Sequence, residues 1–522
     1  MSSPARGLGP PPVQARPPAG TDDAPTAAAR GRHAGEGAEG FGTVVTWTLL
    51  GSLVPGTGLL AAGRRGAGSF ALGITGALVL GAGVVAAVDD PVALGRTALG
   101  RPDLLLAATV ALAVLTAGWG LTVVLTHVVL RREAVLTGRQ RAMGTVLVVA
   151  LLAVATVPAV VAGNDALAAR TALTSVFGHS TPLSGAHTPH AQARDPWAGV
   201  ARENVLLMGG DSGADRTGVR PDTMILASIA PQTGDTVLIS LPRNLQRVPF
   251  PEGSPARAAY PGGFSCYNAA AGANTECLLN ALWQWGDEHP QYYPGDAHPG
   301  LTATVQGVEQ VTGLPVDQYV MVNLRGFEQF VDILGGLEVN VTQRLPVGGS
   351  VEHPVASSWL EPGRQRLSGY LALWYARSRW STTDYDRMRR QRCVIGDLVG
   401  QIDPVTVALR FSRVAATLQQ NLTTSIPLTD LDAWVTLAQR VKHTPVRSLA
   451  FTDQVINTAH PDVARMHELV QQALVPPAAR PATSPAASPA PSPGGSPSAT
   501  PPASSSPAAS SPDRAQDLTA VC

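Results

Sequence analysis

Four long apolar segments constrain this chain more than any other feature of its sequence. They occupy residues 43–62, 68–88, 104–126 and 143–162, and none of them carries a charge in its centre. A helix needs about 20 apolar residues to cross the hydrocarbon core of a bilayer. The sequence therefore predicts an all-α transmembrane region over residues 42–163.

Arginines between the apolar segments predict how this region is oriented. Loops that remain in the cytoplasm are enriched in Lys and Arg. Arg64 follows the first segment and Arg131 follows the third, each with a second Arg beside it, so we expect both loops to be cytoplasmic. The fourth segment then exits outward, which predicts a multi-pass protein of the cytoplasmic membrane with an extracellular C-terminal part. Pro55 interrupts the first segment, so the side on which the N-terminus lies stays open.

Composition divides the remaining chain into parts. The formal net charge is zero, so no overall basic field indicates a nucleic-acid partner. Segments rich in Pro, Gly, Ser and Ala bury too little apolar surface to fold. We predict a disordered N-terminal tail over 1–41, an extracellular stalk over 164–200, a folded domain over 201–475 and a disordered tail over 476–522.

Inside the predicted domain, strand and helix patterns alternate. Apolar runs predict strands at Asn204–Met208, Thr223–Ala230, Asp235–Leu241, Gln318–Asn323 and Leu337–Val341. Helical spacing predicts helices that contain Leu301 and Phe327, and further helices at 367–376, 384–401, 404–419, 430–441 and 461–474. This alternation is typical of an α/β domain in which helices cover a sheet in layers.

Charged and polar side chains gather at the ends of these elements. The planar guanidinium group of arginine can donate two parallel hydrogen bonds to the oxygens of a phosphate. Carboxylates can bind a Mg²⁺ ion that also contacts the phosphate. Arg387 and Gln391 are four residues apart and share a helix face. The pattern therefore predicts a site for a pyrophosphate group with Mg²⁺. Its members come from the charged and polar residues at these element ends, which include Asp211, Arg220, Asp222, Arg243, Arg377, Arg379, Asp384, Asp386, Arg387, Arg390 and Gln391.

Several motifs, in order along residues 203–402, resemble those of the LytR-CpsA-Psr family. The opening motifs are Asn204–Ser212, Arg220–Met224 and Ser240–Arg243, the central one is Val331–Val341, and the closing ones are Ala372–Arg379 and Arg387–Gln391. The resemblance implies an α-β-α layered domain with a central mixed sheet on the outer side of the membrane.

The resemblance also implies a function, a phosphotransferase with a possible pyrophosphatase side activity. Such proteins, with Mg²⁺, transfer an anionic glycopolymer of the teichoic or teichuronic type from a polyprenyl-(pyro)phosphate carrier to peptidoglycan, forming a phosphodiester. By motif position, Asp211 and Asp222 would hold the metal. Arg220, Arg243, Arg377 and Arg379 would be catalytic, and would bind the pyrophosphate together with Arg387 and Gln391.

Two departures from the family pattern leave an alternative open. Asn244 stands where the family often has Asp, and Leu278 stands where a basic residue is common. A non-catalytic envelope protein that binds or senses lipid-linked precursors is therefore the second hypothesis. A transcription regulator is excluded, because the chain has no basic helix-turn-helix and the domain is predicted to face away from DNA.

Four cysteines leave the disulfide pattern open. Cys266–Cys277 would close a short loop, Cys277–Cys393 would join distant elements, and buried free thiols are equally compatible with the sequence.

Histidines and aromatic residues give weaker indications. The stalk carries His179, His187 and His190, where we do not expect a metal site. Four aromatic residues lie close together in the sequence, Trp283, Trp285, Tyr292 and Tyr293. They could form a lip over the site or pack in the core.

Overall fold

The computed structural model of the protein describes most of the chain. The described residues are 28–88, 101–177, 183, 187, 189, 195–210, 220–266, 276–350, 353–402, 414, 417, 421–476 and 513–522. By contacts within the chain, residues 1–87 with 112–160 form one compact unit, and residues 88–111 with 161–522 form another.

The described residues of the N-terminal region form helices joined by short turns. Its helices are α1 (Ala28–Leu53), α2 (Thr57–Ala61), α3 (Arg65–Val88), α4 (Pro102–Glu133) and α5 (Gly138–Phe177). By length and composition, α4 and α5 are apolar enough to cross a membrane. In the most apolar 18 residues of each helix, only 6% are buried inside the protein. Those two helices contain the third and fourth apolar segments of the sequence. Four full spans are not supported by the described residues.

The first apolar segment is not one continuous helix. Helix α1 ends at Leu53 and α2 begins at Thr57, with a turn between them. Pro55 lacks an amide proton for the helix ladder, and Gly56 has a φ of 106°, a conformation that glycine adopts without a steric penalty. The interruption that Pro55 predicts in the first apolar segment is therefore present.

Helix α5 continues past the end of the fourth apolar segment. The predicted stalk begins at residue 164, but α5 remains helical to Phe177. Residues 164–177 include several alanines and leucines, which favour helix even where the chain becomes more polar. The first part of the predicted stalk is therefore a helix.

A seven-stranded mixed sheet forms the centre of the domain. Among the described residues its order is β11-β10-β3-β2-β1-β4-β9. The strands are β1 (Glu203–Gly210), β2 (Pro221–Ile229), β3 (Thr236–Leu241), β4 (Gln318–Asn323), β9 (Leu422–Thr424), β10 (Val446–Ala450) and β11 (Gln516–Asp517). Strand β1 runs parallel to β4, and β3 runs parallel to β10, while the other neighbours are antiparallel. The predicted hairpin joins β2 to β3.

Helices cover both faces of this sheet. They are α6 (Pro255–Ala259), α7 (Leu282–Glu288), α8 (Pro299–Thr312), α9 (Leu324–Leu334), α10 (Gly369–Arg377), α11 (Asp384–Gln401), α12 (Leu431–Lys442), α13 (Val463–Leu474) and α14 (Leu518–Val521). Successive side chains of β1 point to opposite faces. Leu206 and Met208 join one core with α8 and α13, and Val205 joins another with α12. The α-β-α layering and the mixed sheet are as the sequence predicts.

Two small antiparallel sheets form a separate core beside the main sheet. They pair β5 (Leu337–Val341) with β8 (Gly363–Leu367), and β6 (Leu345–Val347) with β7 (Ser358–Leu360). Buried residues of these strands pack with Val331 of α9, Tyr375 of α10 and Val394 of α11. This core holds α10 and α11 beside the main sheet. The predicted strand Leu337–Val341 is confirmed, and it lies outside the central sheet.

The last ten residues belong to the folded domain, so the predicted disordered tail was wrong for 513–522. Strand β11 pairs with β10, and Leu518 of α14 is buried. Cys522 forms a disulfide with Cys393 of α11, and the second disulfide joins Cys266 to Cys277. Neither the Cys277–Cys393 pair nor free thiols are present. The predicted disordered tail over 1–41 was wrong for residues 28–41, which belong to helix α1. Residues 1–27 and 477–512 of the predicted tails, and most of the predicted helix at 404–419, lie outside the described residues.

Candidate active site

A cavity of about 360 Å³ opens between the main sheet and helices α9, α10 and α11. Six of the eight side chains that the motif positions assign to the site line it. These are Asp222, Arg243, Arg377, Arg379, Arg387 and Gln391. They come from the start of β2, the turn after β3, the end of α10 and the first two turns of α11. The fold therefore joins positions that lie as many as 169 residues apart in the chain.

Arg243 is bound to carboxylates on both sides. Its Nη1 lies 2.6 Å from Asp222 Oδ1, and its Nε lies 3.7 Å from Asp384 Oδ1. Asp222 remains 44% exposed, while the Arg243 side chain is 22% exposed. A charge-assisted pair of this kind orients the guanidinium before any ligand arrives. Asp222 is thus placed beside the arginine that would share a phosphate with it.

Asp384 belongs to the charged residues at element ends in the sequence, but the motif positions assigned it no role in the site. Its carboxylate lies 3.0 Å from Arg387 Nη2 and 3.7 Å from Arg379 Nη1, in addition to Arg243. One carboxylate therefore stands between three arginines. Its Oδ1 is buried and has no hydrogen-bond partner among the described residues.

Local sequence explains why Asp384 lies at this point. Thr383 caps α11, and Thr383 and Asp386 form a reciprocal capping box. The cap begins the helix at Asp384, and the first turn of a helix favours negative charge. The signal that could have identified Asp384 was its place one helical turn before Arg387, on the same face.

Arg387 is the most deeply buried arginine of the cavity. Its side chain is 5% exposed, and its Nη2 also donates to the backbone oxygen of Asp222 at 3.4 Å. Burial lowers the pKa of Arg387, and the neighbouring Asp384 opposes that shift. Arginine stays protonated in proteins, so the cavity holds a partly desolvated, fixed positive charge. Such a charge interacts more strongly with phosphate oxygens than an exposed one does.

Arg377 and Arg379 reach the cavity from the turn after α10. The guanidinium of Arg377 lies over the ring of Trp374, 5.3 Å from its centroid, which is a cation–π arrangement. Between them Ser378 is buried and donates to the backbone oxygen of Pro346 at 3.0 Å. This hydrogen bond fixes the backbone at Ser378, and the side chains of Arg377 and Arg379 on either side both line the cavity.

The other end of the cavity is apolar. Its lining includes Leu207, Val320, Val322, Phe327, Leu373, Val394, Ile395 and Leu398. Along α11 the lining changes from Arg387 to Leu398 over eleven residues, which is about 17 Å at the helical rise per residue. A ligand that fills the cavity would meet charge at one end and hydrocarbon at the other.

The structure does not bring the remaining two predicted residues into the cavity lining. Arg220 is exposed, and its Nε donates to Gln284 Oε1 at 2.9 Å. Asp211 lies outside the described residues. Of the described residues that line the cavity, Asp222 offers carboxylate oxygens to a metal.

The aromatic group at 283–293 packs in the core, so the packing interpretation of the sequence is confirmed for its buried members. Trp285 and Tyr293 are buried, and Trp285 contacts Phe250, Phe264 and Tyr292. None of the four predicted lip residues lines the described cavity.

Arg390 lies outside the cavity and holds the turn between α10 and α11. Its Nε donates to the backbone oxygen of Tyr375 at 2.8 Å, and its Nη2 donates to the backbone oxygen of Ser378. Burial lowers the pKa of Arg390 to about 10. Arg390 therefore supports the turn that carries Arg377 and Arg379.

Replacing Arg390 by methionine should destabilise the domain, because two buried carbonyl oxygens would lose their donor. An unsatisfied buried acceptor costs about 1–3 kcal/mol, so we expect a loss of at least about 2 kcal/mol. For a domain of this size that corresponds to a fall of at least roughly 4 °C in Tm, measured by tryptophan fluorescence in detergent. Arg389→Met on the same helix is the control, since Arg389 bonds Thr342 at the surface. Equal Tm values for the two variants would contradict this role of Arg390.

Comparison with known proteins identifies one family over the domain. The family model described as the LytR_cpsA_psr family matches residues 181–474. The match covers more than half of the chain and contains every described residue of the cavity.

Curated relatives match over a similar part of the chain. A Bacillus subtilis protein named polyisoprenyl-teichoic acid–peptidoglycan teichoic acid transferase TagU is 27% identical over 225 residues, covering 43% of this chain and 60% of the relative. A Streptococcus mutans protein named biofilm regulatory protein A is 26% identical over 231 residues, covering 43% of this chain and 50% of the relative. The match thus spans half to three-fifths of these relatives' length.

Solved structures are also similar to parts of this chain. Bacillus subtilis TagV matches at 20% identity with a TM-score of 0.35, covering 52% of this chain and 94% of that structure. A structure described as TagT bound to LIIa-WTA matches at 20% identity with a TM-score of 0.36, covering 56% of this chain and 97% of that structure.

Proposed function

The chain belongs to the LytR-CpsA-Psr family, and from that premise we propose that it transfers a lipid-linked anionic glycopolymer to peptidoglycan. The donor would be a polyprenyl-(pyro)phosphate carrying a glycan of the teichoic or teichuronic type, and the product would be a phosphodiester in the cell wall. The name of the Bacillus subtilis relative, a teichoic acid transferase, supports this donor and acceptor class.

The main support for this function is that the cavity lining changes from charged to apolar along α11. A polyprenyl pyrophosphate has a compact anionic head and a long hydrocarbon tail. Arg243, Arg379 and Arg387 meet at the charged end, and Val394 and Leu398 line the other. Arginine forks match phosphate oxygens, and an apolar wall shields hydrocarbon from water.

The reaction needs little covalent chemistry from the protein. The acceptor hydroxyl oxygen forms a bond to the phosphorus that carries the glycan, the P–O anhydride bond breaks, and polyprenyl monophosphate leaves while the hydroxyl proton is released. Negative charge grows on the leaving phosphate, and fixed positive charges stabilise it without reorganising. Arg387 is preorganised for this by burial, and Arg243 and Arg379 by their carboxylate partners.

We propose that Mg²⁺ is the cofactor, because the donor set of the cavity suits it. Mg²⁺ binds carboxylate and phosphate oxygens, and it would neutralise phosphate charge during transfer. Asp222 would hold the ion with Asp211, as the motif positions suggest. Asp384 Oδ1 lies 3.7 Å from Arg243 Nε and 3.7 Å from Arg379 Nη1, so this carboxylate is paired with arginines and is not assigned to the metal.

The membrane region supplies a reason for this architecture. A lipid-linked donor resides in the bilayer, so an anchored enzyme meets it at high local concentration. We propose a multi-pass anchor with the cavity-bearing domain on the extracellular side, as the arginines of the connecting loops indicate. Hydrolysis of the pyrophosphate by water in place of the acceptor would be the side activity.

Alanine at Arg377 or asparagine at Asp222 tests the proposed function. Purified chain in detergent should release polyprenyl phosphate from a labelled polyprenyl-pyrophosphate glycan when Mg²⁺ and peptidoglycan are present. Each substitution is expected to lower that rate about 10²–10³-fold, the usual cost of losing one charge-stabilising group. Arg364→Ala is the control, because Arg364 is 79% exposed and pairs with Glu338 outside the cavity.

Binding without turnover would favour the second hypothesis instead. If the wild-type chain bound the donor but released no product with Mg²⁺, Mn²⁺ or Ca²⁺, the chain would be a binding or sensing protein. Unchanged turnover in Arg377→Ala and Asp222→Asn would contradict the site assignment.

A further inference from the structure

A second cluster of charged groups lies at the N-terminal ends of strands β1 and β4, opposite the strand ends that line the cavity. His187 Nδ1 lies 3.1 Å from Glu203 Oε2 and 3.2 Å from Asp317 Oδ1. One ligand atom from each of these residues falls within 4.8 Å of the others. We call this group the His187 cluster.

Strand topology separates the His187 cluster from the cavity. Glu203 is the first residue of β1, and Asp317 directly precedes β4. Since β1 and β4 run parallel, both residues lie at the N-terminal ends, whereas Gly209 and Asn323 line the cavity at the other ends. Leu207 is the residue of β1 nearest to Glu203 that lines the cavity, and four residues of strand correspond to about 13 Å. The cluster is therefore a separate feature of the domain.

Both carboxylates are buried without enough partners. Glu203 is 0% exposed and Asp317 is 1% exposed. Asp317 Oδ2 accepts a hydrogen bond from the backbone N–H of Asn204 at 2.8 Å, but Glu203 Oε1 has no hydrogen-bond partner among the described residues. A buried carboxylate normally pairs with a cation or binds a metal, because its desolvation is otherwise costly.

The surroundings of the cluster add negative charge. Buried Asp430 interacts with Glu203, and part-buried Glu309 interacts with Asp317. A divalent cation would offset this concentration of acidic side chains.

We propose that His187, Glu203 and Asp317 bind a divalent first-row transition metal, with Zn²⁺ as the best match. One imidazole nitrogen with two carboxylate oxygens is a donor set of Zn²⁺ sites, with water as the fourth ligand. Ca²⁺ and Mg²⁺ prefer ligand sets of oxygen alone. The sequence indicated no metal at the stalk histidines, because Glu203 and Asp317 join His187 through the fold rather than through close spacing.

The metal would fasten the segment before the domain to the sheet. His187 lies between helix α5 and strand β1, and its side chain is 43% exposed. Glu203 begins β1, and Asp317 directly precedes the neighbouring strand β4. A bound ion would therefore hold His187 against the N-terminal ends of β1 and β4. This role is structural and does not depend on the proposed transfer reaction.

Zn²⁺ titration of the full chain in detergent, after removal of metal by chelator, tests the proposal. Calorimetry should give one Zn²⁺ per chain, and Zn²⁺ should raise Tm. His187→Ala and Glu203→Gln should each weaken Zn²⁺ binding at least roughly tenfold. His353→Ala is the matched control, since His353 is an exposed histidine elsewhere in the domain, and it should bind like the wild type.

Three results would overturn the proposal. They are no stoichiometric Zn²⁺ on the wild-type chain, equal affinity in His187→Ala and His353→Ala, or tighter binding of Ca²⁺ than of Zn²⁺. If Glu203→Gln fails to fold, the part-exposed His187→Ala variant still decides the outcome. Transfer activity is measured separately, so failure of the zinc site leaves the proposed function untouched, and failure of transfer leaves the zinc site untouched.

Discussion

Arg387→Ala is expected to lower glycopolymer transfer on the order of 10³-fold, the largest loss from any single arginine of the cavity. An arginine that stabilises a phosphoryl-transfer transition state contributes about 10³–10⁵ in rate. Arg387 is 5% exposed and pairs with Asp384 at 3.0 Å, so its charge is fixed and poorly screened. Transfer of labelled glycan to peptidoglycan by the purified chain with Mg²⁺ measures the effect.

Two further variants sharpen this result. Arg389→Ala lies two residues along the same helix and outside the cavity lining, so it should keep nearly the full rate. Arg387→Lys should have only slightly more activity than Arg387→Ala, because a lysine ammonium group cannot form the paired hydrogen bonds that a guanidinium group makes to two phosphate oxygens. A wild-type rate in a folded Arg387→Ala variant would exclude this arginine from the reaction.

Cys522→Ser is expected to produce the largest loss of stability among the disulfide variants. The Cys393–Cys522 bond closes a loop with a sequence separation of 129, whereas the Cys266–Cys277 separation is 11. A disulfide that closes a long loop removes more entropy from the unfolded chain, and its loss typically costs about 2–5 kcal/mol. Buried Leu518 and strand β11 would lose their tether as well.

Thermal unfolding in detergent under oxidising conditions measures this difference. Cys277→Ser with Cys266→Ser is the matched control, and it should lower Tm less than Cys522→Ser with Cys393→Ser does. Reductant should lower the wild-type Tm further than it lowers that of the Cys522→Ser chain. A larger loss from the short loop would contradict the entropic account.

The local elements of this domain could be predicted because apolar spacing encodes them. Helix α11 begins and ends at the residues predicted from its pattern, and strands β4 and β5 also have the predicted bounds. The pairing of β5 with β8 rather than with the main sheet could not be predicted. Pairing depends on contacts between distant residues, and periodicity within one strand carries no information about its neighbour.

Long-range contacts also explain what sequence reasoning missed. Strand β11 is two residues long and follows a segment rich in Pro and Ser, so no pattern indicates a return to the sheet. Asp384 reads locally as an acidic residue at a helix start, where the helix dipole accounts for it. Its contacts with Arg243 and Arg379 exist only because β3 and α10 end beside α11.

Six predicted site residues share the cavity because each stands at the end of an element that the fold brings to one place. Arg220 was predicted from its motif, but its side chain bonds Gln284 instead. A motif position specifies where a residue lies along the chain, while the direction of its side chain depends on the neighbours that the fold supplies.

The carboxylate of Asp384 has a consequence for product release. Arg243, Arg379 and Arg387 already have this internal anion, so any phosphate must compete with it for the same guanidinium groups. A pyrophosphate donor brings more charged oxygens to that competition than a monophosphate does. After transfer, the remaining polyprenyl monophosphate would hold the arginines less firmly, and Asp384 would reclaim them. The returning carboxylate would then help to empty the cavity for the next lipid-linked donor.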